Sequence, residues 1–149
     1  MVKEEEDAMK DIFGDVVYAY TRAQAIADGV LIDVTETARE AGIKFPTALT
    51  SAVWGDYVAV PEDLKGHQDE SGRLWDLVWM LSVAVRTGRI TGDIGSFEVI
   101  FAKPYKGDWR SNEKPHEGSR TQRLVTLKAV CGPSDDGSPC VTIMRPDED

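Results

Sequence analysis

An α+β fold, with N-terminal short helices and one long core helix packed on a C-terminal three-stranded antiparallel sheet, is what this 149-residue sequence predicts. Three observations predict it. From Ser71 to Thr87 the chain places Leu74, Leu77, Val78, Leu81 and Val85 on one helical stripe. Before that stretch, caps and glycines divide the chain into segments too short for long helices. After Gly95 the apolar period changes from helical to two.

In chain order, residues 1–10 carry Glu4, Glu5, Glu6 and Asp7 and read as a solvated, flexible tail. Val16 to Tyr20 has the β-rich composition of a short strand. Thr21-Arg22-Ala23-Gln24 is a capping box that starts a helix, and Gly29 ends it. Val30-Leu31-Ile32 is a buried run too short for a helix. Asp33 or Thr35 then caps a helix from Glu36 to Ala41, closed by Gly42. Pro46 and a Thr47 cap predict a third helix with Leu49, Val53 and Tyr57 on one side. Pro61 to Gln68 is a loop.

Ser71 is the expected cap of the long helix and Gly88 its left-handed stop. Trp75 and Trp79 flank its stripe, and the sheet is expected to bury both. Arg89 to Gly95 is broken by glycines and turn-prone residues. Phe97, Val99 and Phe101 then alternate with Glu98, Ile100 and Ala102 in a first strand. Residues 103–121 form a long loop without apolar periodicity, a length that in a compact domain marks either function or disorder. Leu124–Val130 and Val141–Met144 pair as a hairpin about Asp136-Gly137. Its register is open, so Cys131 and Cys140 fall on the same or on opposite faces. No repeat or linker divides the chain, and residues 1–149 form one domain.

The net charge of −9 disfavours nucleic acid and anionic membranes as partners of the whole chain. The N-terminus lacks a basic head followed by an apolar run. The longest apolar stretch, interrupted by Asp76, is too short to span a bilayer. A cytoplasmic protein with two reduced thiols is the expectation.

The binding candidates lie in the long loop. Tyr105, Trp109, Arg110, His116 and Arg120 interleave aromatic and basic side chains there, and the loop is net positive within an acidic chain. Trp, Tyr and Arg are the usual anchors of protein interfaces, so a protein partner fits better than a nucleic acid. A flap packed back on the sheet explains the same residues without a partner. His67, Asp69 and Glu70 resemble a metal or acid/base cluster, but one histidine without a second His or paired Cys is a poor ligand set. The dipole of the following helix accounts for Asp69 and Glu70 equally well. Glu36, Arg39 and Glu40 read as a solvated helix face. Two cysteines do not make a zinc site. No phosphate cradle, nucleophile elbow or dinucleotide fingerprint occurs, so no catalytic residue, metal site or cofactor is assigned.

The blocks Tyr20–Val34, Ala38–Gly42, Lys44–Pro46, Val53-Trp54, Gly72–Asp76 and Leu124–Arg145 resemble a family of small proteins of unknown function from bacteria, phages and plasmids. The resemblance covers residues 16–144. It implies an intracellular bacterial or mobile-element protein, and by analogy an inhibitor of host defence. It implies no catalytic residue. Three functions follow in order of preference. The first is a non-enzymatic protein-interaction module acting through residues 103–121 and nearby acidic surface. The second is a small enzyme with a cleft between helices and sheet, using Arg22, Glu36 or the His67 cluster. The third is a weak nucleic-acid binder using the loop and Arg123.

Overall fold

The computed structural model describes residues 20–60, 69–103, 110–119 and 121–148. The Val16–Tyr20 strand, the 61–68 loop and the N-terminal tail fall wholly or mostly outside them. The capping box forms as expected. Thr21 Oγ1 accepts the Gln24 N–H at 3.0 Å, and the Gln24 side chain accepts the Thr21 N–H at 2.8 Å, starting α1, Arg22–Ala27. Gly29, with φ of 79°, turns the chain into β1, Leu31–Asp33. The Asp33 carboxylate then accepts the Thr35 N–H and opens α2, Thr35–Glu40.

The third predicted helix begins later than expected. Thr47–Thr50 is a strand, β2, because the later strand Pro139–Met144 holds it in parallel register with Thr47 opposite Val141 and Leu49 opposite Ile143. Thr50, not Thr47, caps the helical turn α3, Ser51–Val53. A π turn, Trp54–Val58, follows it. Leu49, Val53 and Tyr57 all face the core, but the chain is extended through the first and wound through the others. A spacing of four therefore misled as to where the winding starts.

The long helix, α4, spans Glu70–Arg86. Its cap is Asp69, whose carboxylate accepts the Gly72 N–H at 2.6 Å, in place of Ser71. Gly88, with φ of 79°, follows the C-terminal turn as predicted. Leu74, Leu77, Val78 and Leu81 are buried against Phe97, Val99, Phe101, Val125, Leu127 and Ile143. Val85, at the end of the stripe, lies beyond the covered part and is 52% exposed.

The sheet is larger than a three-stranded antiparallel meander. Among the described residues it is a mixed sheet of six strands in the order β1-β2-β6-β5-β3, with β4 also paired to β5. The strands added by the C-terminal half are β3, Ile94–Ala102; β4, Glu113–Pro115; β5, Gln122–Pro133; and β6, Pro139–Met144. β5 is long enough to carry β3 along one side and β4 then β6 along the other. Two features enlarge the sheet: β1 and β2 join beyond β6, and part of the predicted 103–121 loop is itself strand. The hairpin turn forms about Asp136-Gly137, with Gly137 at φ of 87°. Its register sets Cys131 opposite Val141 and Cys140 opposite Gly132, so the thiols lie on opposite faces and are free.

The sheet does not bury the indoles. Trp75 is 37% and Trp79 39% exposed, stacked on each other at 5.7 Å, with the Arg86 guanidinium 4.7 Å from the Trp79 ring centre. Four residues apart, they stand about 40° apart around the helix, on the side away from Leu77 and Leu81. Stacking and the cation thus replace the sheet as their cover.

Candidate functional site

The π turn carries Tyr57 into the molecule, where it has no exposed surface and stacks on Phe101 at 5.4 Å. Around its hydroxyl lies a buried polar cluster. Tyr57 Oη donates to Glu113 Oε2 and accepts from Asn112 Nδ2 at 3.1 Å. Arg123 Nη1 donates to the other carboxylate oxygen at 2.6 Å, and Arg123 Nε to the Lys103 carbonyl at 3.1 Å. Lys103 Nζ stands 3.9 Å from Glu113 Oε2. Arg73 Nη1 donates to the Tyr57 carbonyl at 2.7 Å, and Nη2 to the carbonyl of Ala102. The cluster joins the π turn, α4, β3, β4 and β5.

Burial alone would push the Glu113 carboxyl up. Donation from Tyr57 and Arg123, the Lys103 charge and the Arg110 N–H outweigh it and hold the carboxyl below its ordinary range. Burial first, and the Glu113 bond second, push the Tyr57 phenol well above its ordinary value of 10.0. The anion is therefore fixed and the phenol stays neutral. Because the Glu113 side chain has no exposed surface, it cannot touch a substrate, and the cluster works as an internal tie.

Tyr57→Phe removes one donor from Glu113 and is expected to cost about 1–3 kcal/mol in urea unfolding. A phenol whose folded pKa is raised contributes stability below its unfolded value, and that stability fades as pH rises through 10.0. Thermal midpoints on either side of pH 10 should therefore fall less steeply in the variant than in the parent.

The sequence candidates are dispersed. Arg110 Nε lies 3.5 Å from Asp56 Oδ2 at the rim of the buried cluster, with its side chain 43% exposed. His116 opens a 3₁₀ turn, its Nε2 3.8 Å from Glu117. Tyr105, Trp109 and Arg120 fall outside the described residues, as does His67. Asp69 is occupied as the α4 cap, and Glu36, Arg39 and Glu40 form the exposed side of α2. Arg22 ties α1 to β6, donating to Thr142 Oγ1 at 2.7 Å and the Val141 carbonyl at 2.8 Å. Arg123 is fully buried, so it offers no phosphate contact, and the nucleic-acid reading loses that residue. Among the described residues no group of three His, Cys, Asp or Glu side chains is placed to hold a metal ion.

Two surface features remain. A cleft of about 420 Å³ opens between the end of α4 and the sheet, lined mainly by Phe45, Leu81, Val85, Ile90, Ala129 and Val141. Among the described residues Asp93 is the one carboxylate in its wall, and neither Arg22 nor Glu36 lines it. The other feature is the outer side of α4, where the stacked indoles and Arg86 form an exposed aromatic-cationic patch. Sequence reasoning missed the Tyr57–Glu113–Arg123 cluster. Its available signal was Arg123 in phase with Val125, Leu127 and Ala129, which places an arginine on the inward side of a strand.

The chain belongs to DUF6573, a family of unknown function whose sequence profile matches residues 9–149. No curated protein and no solved structure matches it. No helix among the described residues is long and apolar enough to cross a membrane.

Proposed function

We propose that this member of DUF6573 is a non-enzymatic protein-interaction module, and that the partner seats on the outer side of α4. The observation that carries the reading is the exposed stack of Trp75 and Trp79 with Arg86 over it. Large aromatic surface left in water is costly, and Trp and Arg are the side chains that most often dominate binding energy when a partner covers them. A helix holds the pair rigidly, so little conformational entropy is lost on docking. The 103–121 segment adds a second contact in this reading, through Tyr105, Trp109, Arg110, His116 and Arg120. A cytoplasmic, mobile-element setting and an inhibitory role toward a host protein belong to the same proposal, and the acidic net charge supports a basic partner surface.

Affinity capture with the intact chain tests it, using Trp75→Ser/Trp79→Ser and Trp109→Ala/Arg110→Ala as comparisons. The indole variant is expected to lose the captured protein by more than about tenfold, the scale of one or two interface hot spots. The loop variant is expected to weaken capture less. Identical captured proteins in equal amounts for all three chains would overturn the reading.

A further inference from the structure

The two edges of the sheet differ. β1 is three residues long, too short to recruit another strand. β3 spans nine residues, Ile94–Ala102, without proline, lysine or arginine, and Glu98 is its only charge. Such an edge lacks the usual protections against pairing with another chain.

The register shows which backbone groups are unused. Asp93 accepts from the Cys131 N–H at 2.7 Å, and Lys103 donates to the Thr121 carbonyl at 3.0 Å. In an antiparallel ladder the residues bonded to β5 therefore have odd numbers. Ile94, Ser96, Glu98, Ile100 and Ala102 turn their N–H and C=O groups away from β5. The Ala102 carbonyl is taken by Arg73. Among the described residues the other four form a continuous free edge. Their side chains point away from the core, with Ile94 63% and Ile100 42% exposed.

We propose that β3 is a homodimerisation edge, occupied by β3 of a second copy running antiparallel about a two-fold axis beside Phe97. Three isologous registers join at least three of these four residues to free residues of the partner. Pairing Ile94 with Glu98 of the partner subunit leaves Ile100 unused and sets Ser96 against its own copy. Pairing Ser96 with Ile100 of the partner subunit sets Glu98 against its own copy, a like-charge pair that a cross-strand ladder disfavours. The remaining register sets Ile94 opposite Ile100 of the partner subunit and Ser96 opposite Glu98 of the partner subunit. It uses every free group, joins the two exposed isoleucines and separates the carboxylates. The sheet then continues across both copies; Trp79 stands in a groove beside Glu98 and Ile100, whereas Trp75 is not in that groove's wall. Two copies each at −9 repel, so added salt tightens the dimer.

Sedimentation equilibrium of the intact chain across a concentration series tests this, with circular dichroism confirming that each variant is folded. A reversible dimer of the 16.4-kDa chain is expected. Ile94→Lys/Ile100→Lys raises its dissociation constant by more than about tenfold, since both isoleucine pairs are lost. Ser96→Glu raises it about fivefold and Ser96→Lys lowers it about as much, because only this register places residue 96 opposite Glu98. Trp75→Ser alone, at the indole outside the groove beside β3, keeps the dimer, which separates this inference from the partner-binding reading. A monomer at every concentration, a dimer indifferent to the isoleucine and Ser96 variants, or a dimer lost with Trp75→Ser would each overturn it.

Discussion

Arg123→Ala is expected to destabilise the fold by about 3–5 kcal/mol, the cost of breaking a buried ion pair from one side. Arg123 is fully buried, and its guanidinium lies 2.6 Å from a Glu113 carboxylate that also has no exposed surface. Alanine leaves that anion buried with only the Tyr57 hydroxyl, the Arg110 N–H and the more distant Lys103 to stabilise it. It also empties the space of a large side chain between β3 and β4. Urea unfolding measures the loss, read as a shift in midpoint at unchanged slope. The pH dependence tests the cause. Because the folded carboxyl titrates below its ordinary value of 4.5, its contribution is present above that value and is lost as pH falls through the folded one. The parent should thus lose stability on acidification more steeply than Arg123→Ala, which has already lost the main charge partner. A loss under about 1 kcal/mol, with unchanged acid sensitivity, would place the pair in solvent, where ion pairs are worth that little.

The elements whose local chemistry is strong were legible in the sequence. Thr21 and Gln24 form a reciprocal cap within four residues, so α1 needs no distant contact to define its start. The alternation Phe97, Val99, Phe101 and the Asp136-Gly137 turn are equally local, and both gave strands where strands exist. What was not legible depends on pairing across the chain. Thr47–Thr50 is too short and too mixed to declare itself; β6, nearly a hundred residues later, makes it a strand. Glu113–Pro115 has the composition of a loop and is a strand because β5 is long enough to accept it beside β6. With Leu31–Asp33 paired to Thr47–Thr50, these make three strands beyond the expected antiparallel three, and the sheet is mixed. Even α4 shifted by local competition: Asp69 and Ser71 both have capping side chains, and Asp69 took the Gly72 N–H.

The candidate site was less legible for a different reason. Charged residues were read as solvent-facing, and on α2 Glu36, Arg39 and Glu40 are. Glu113 and Arg123 break that rule because each pays for the other's desolvation, which only proximity in the fold reveals. The tryptophans invert it: size argues for burial, but helical phase puts Trp75 and Trp79 on the outer side. Phase was read correctly as flanking the stripe, and the error lay in assuming that a sheet would reach round to cover them. The patch proposed for partner binding is a direct result of that geometry.

Leu77→Ala is expected to cost about 2–5 kcal/mol, and Trp79→Ala only about 1 kcal/mol, although the indole is much the larger side chain. Leu77 has no exposed surface and lies in the cluster that includes Phe97, Phe101, Val125 and Leu127. Truncating it removes apolar contact and leaves a cavity that helix and sheet cannot both close. Trp79, 39% exposed, loses its stack on Trp75, the Arg86 contact and its place in the groove beside Met80 and Ile100, and water fills the place of the ring. At roughly 3 °C per kcal/mol for a domain of this size, the two variants should differ by several degrees in thermal midpoint. The comparison is informative because both residues sit on one helix, two positions apart, so helix propensity and global context nearly cancel. If Trp79→Ala were instead the damaging change and Leu77→Ala neutral, α4 would be rotated by about half a turn about its axis. The indole pair would then belong to the core and have no surface to offer a partner.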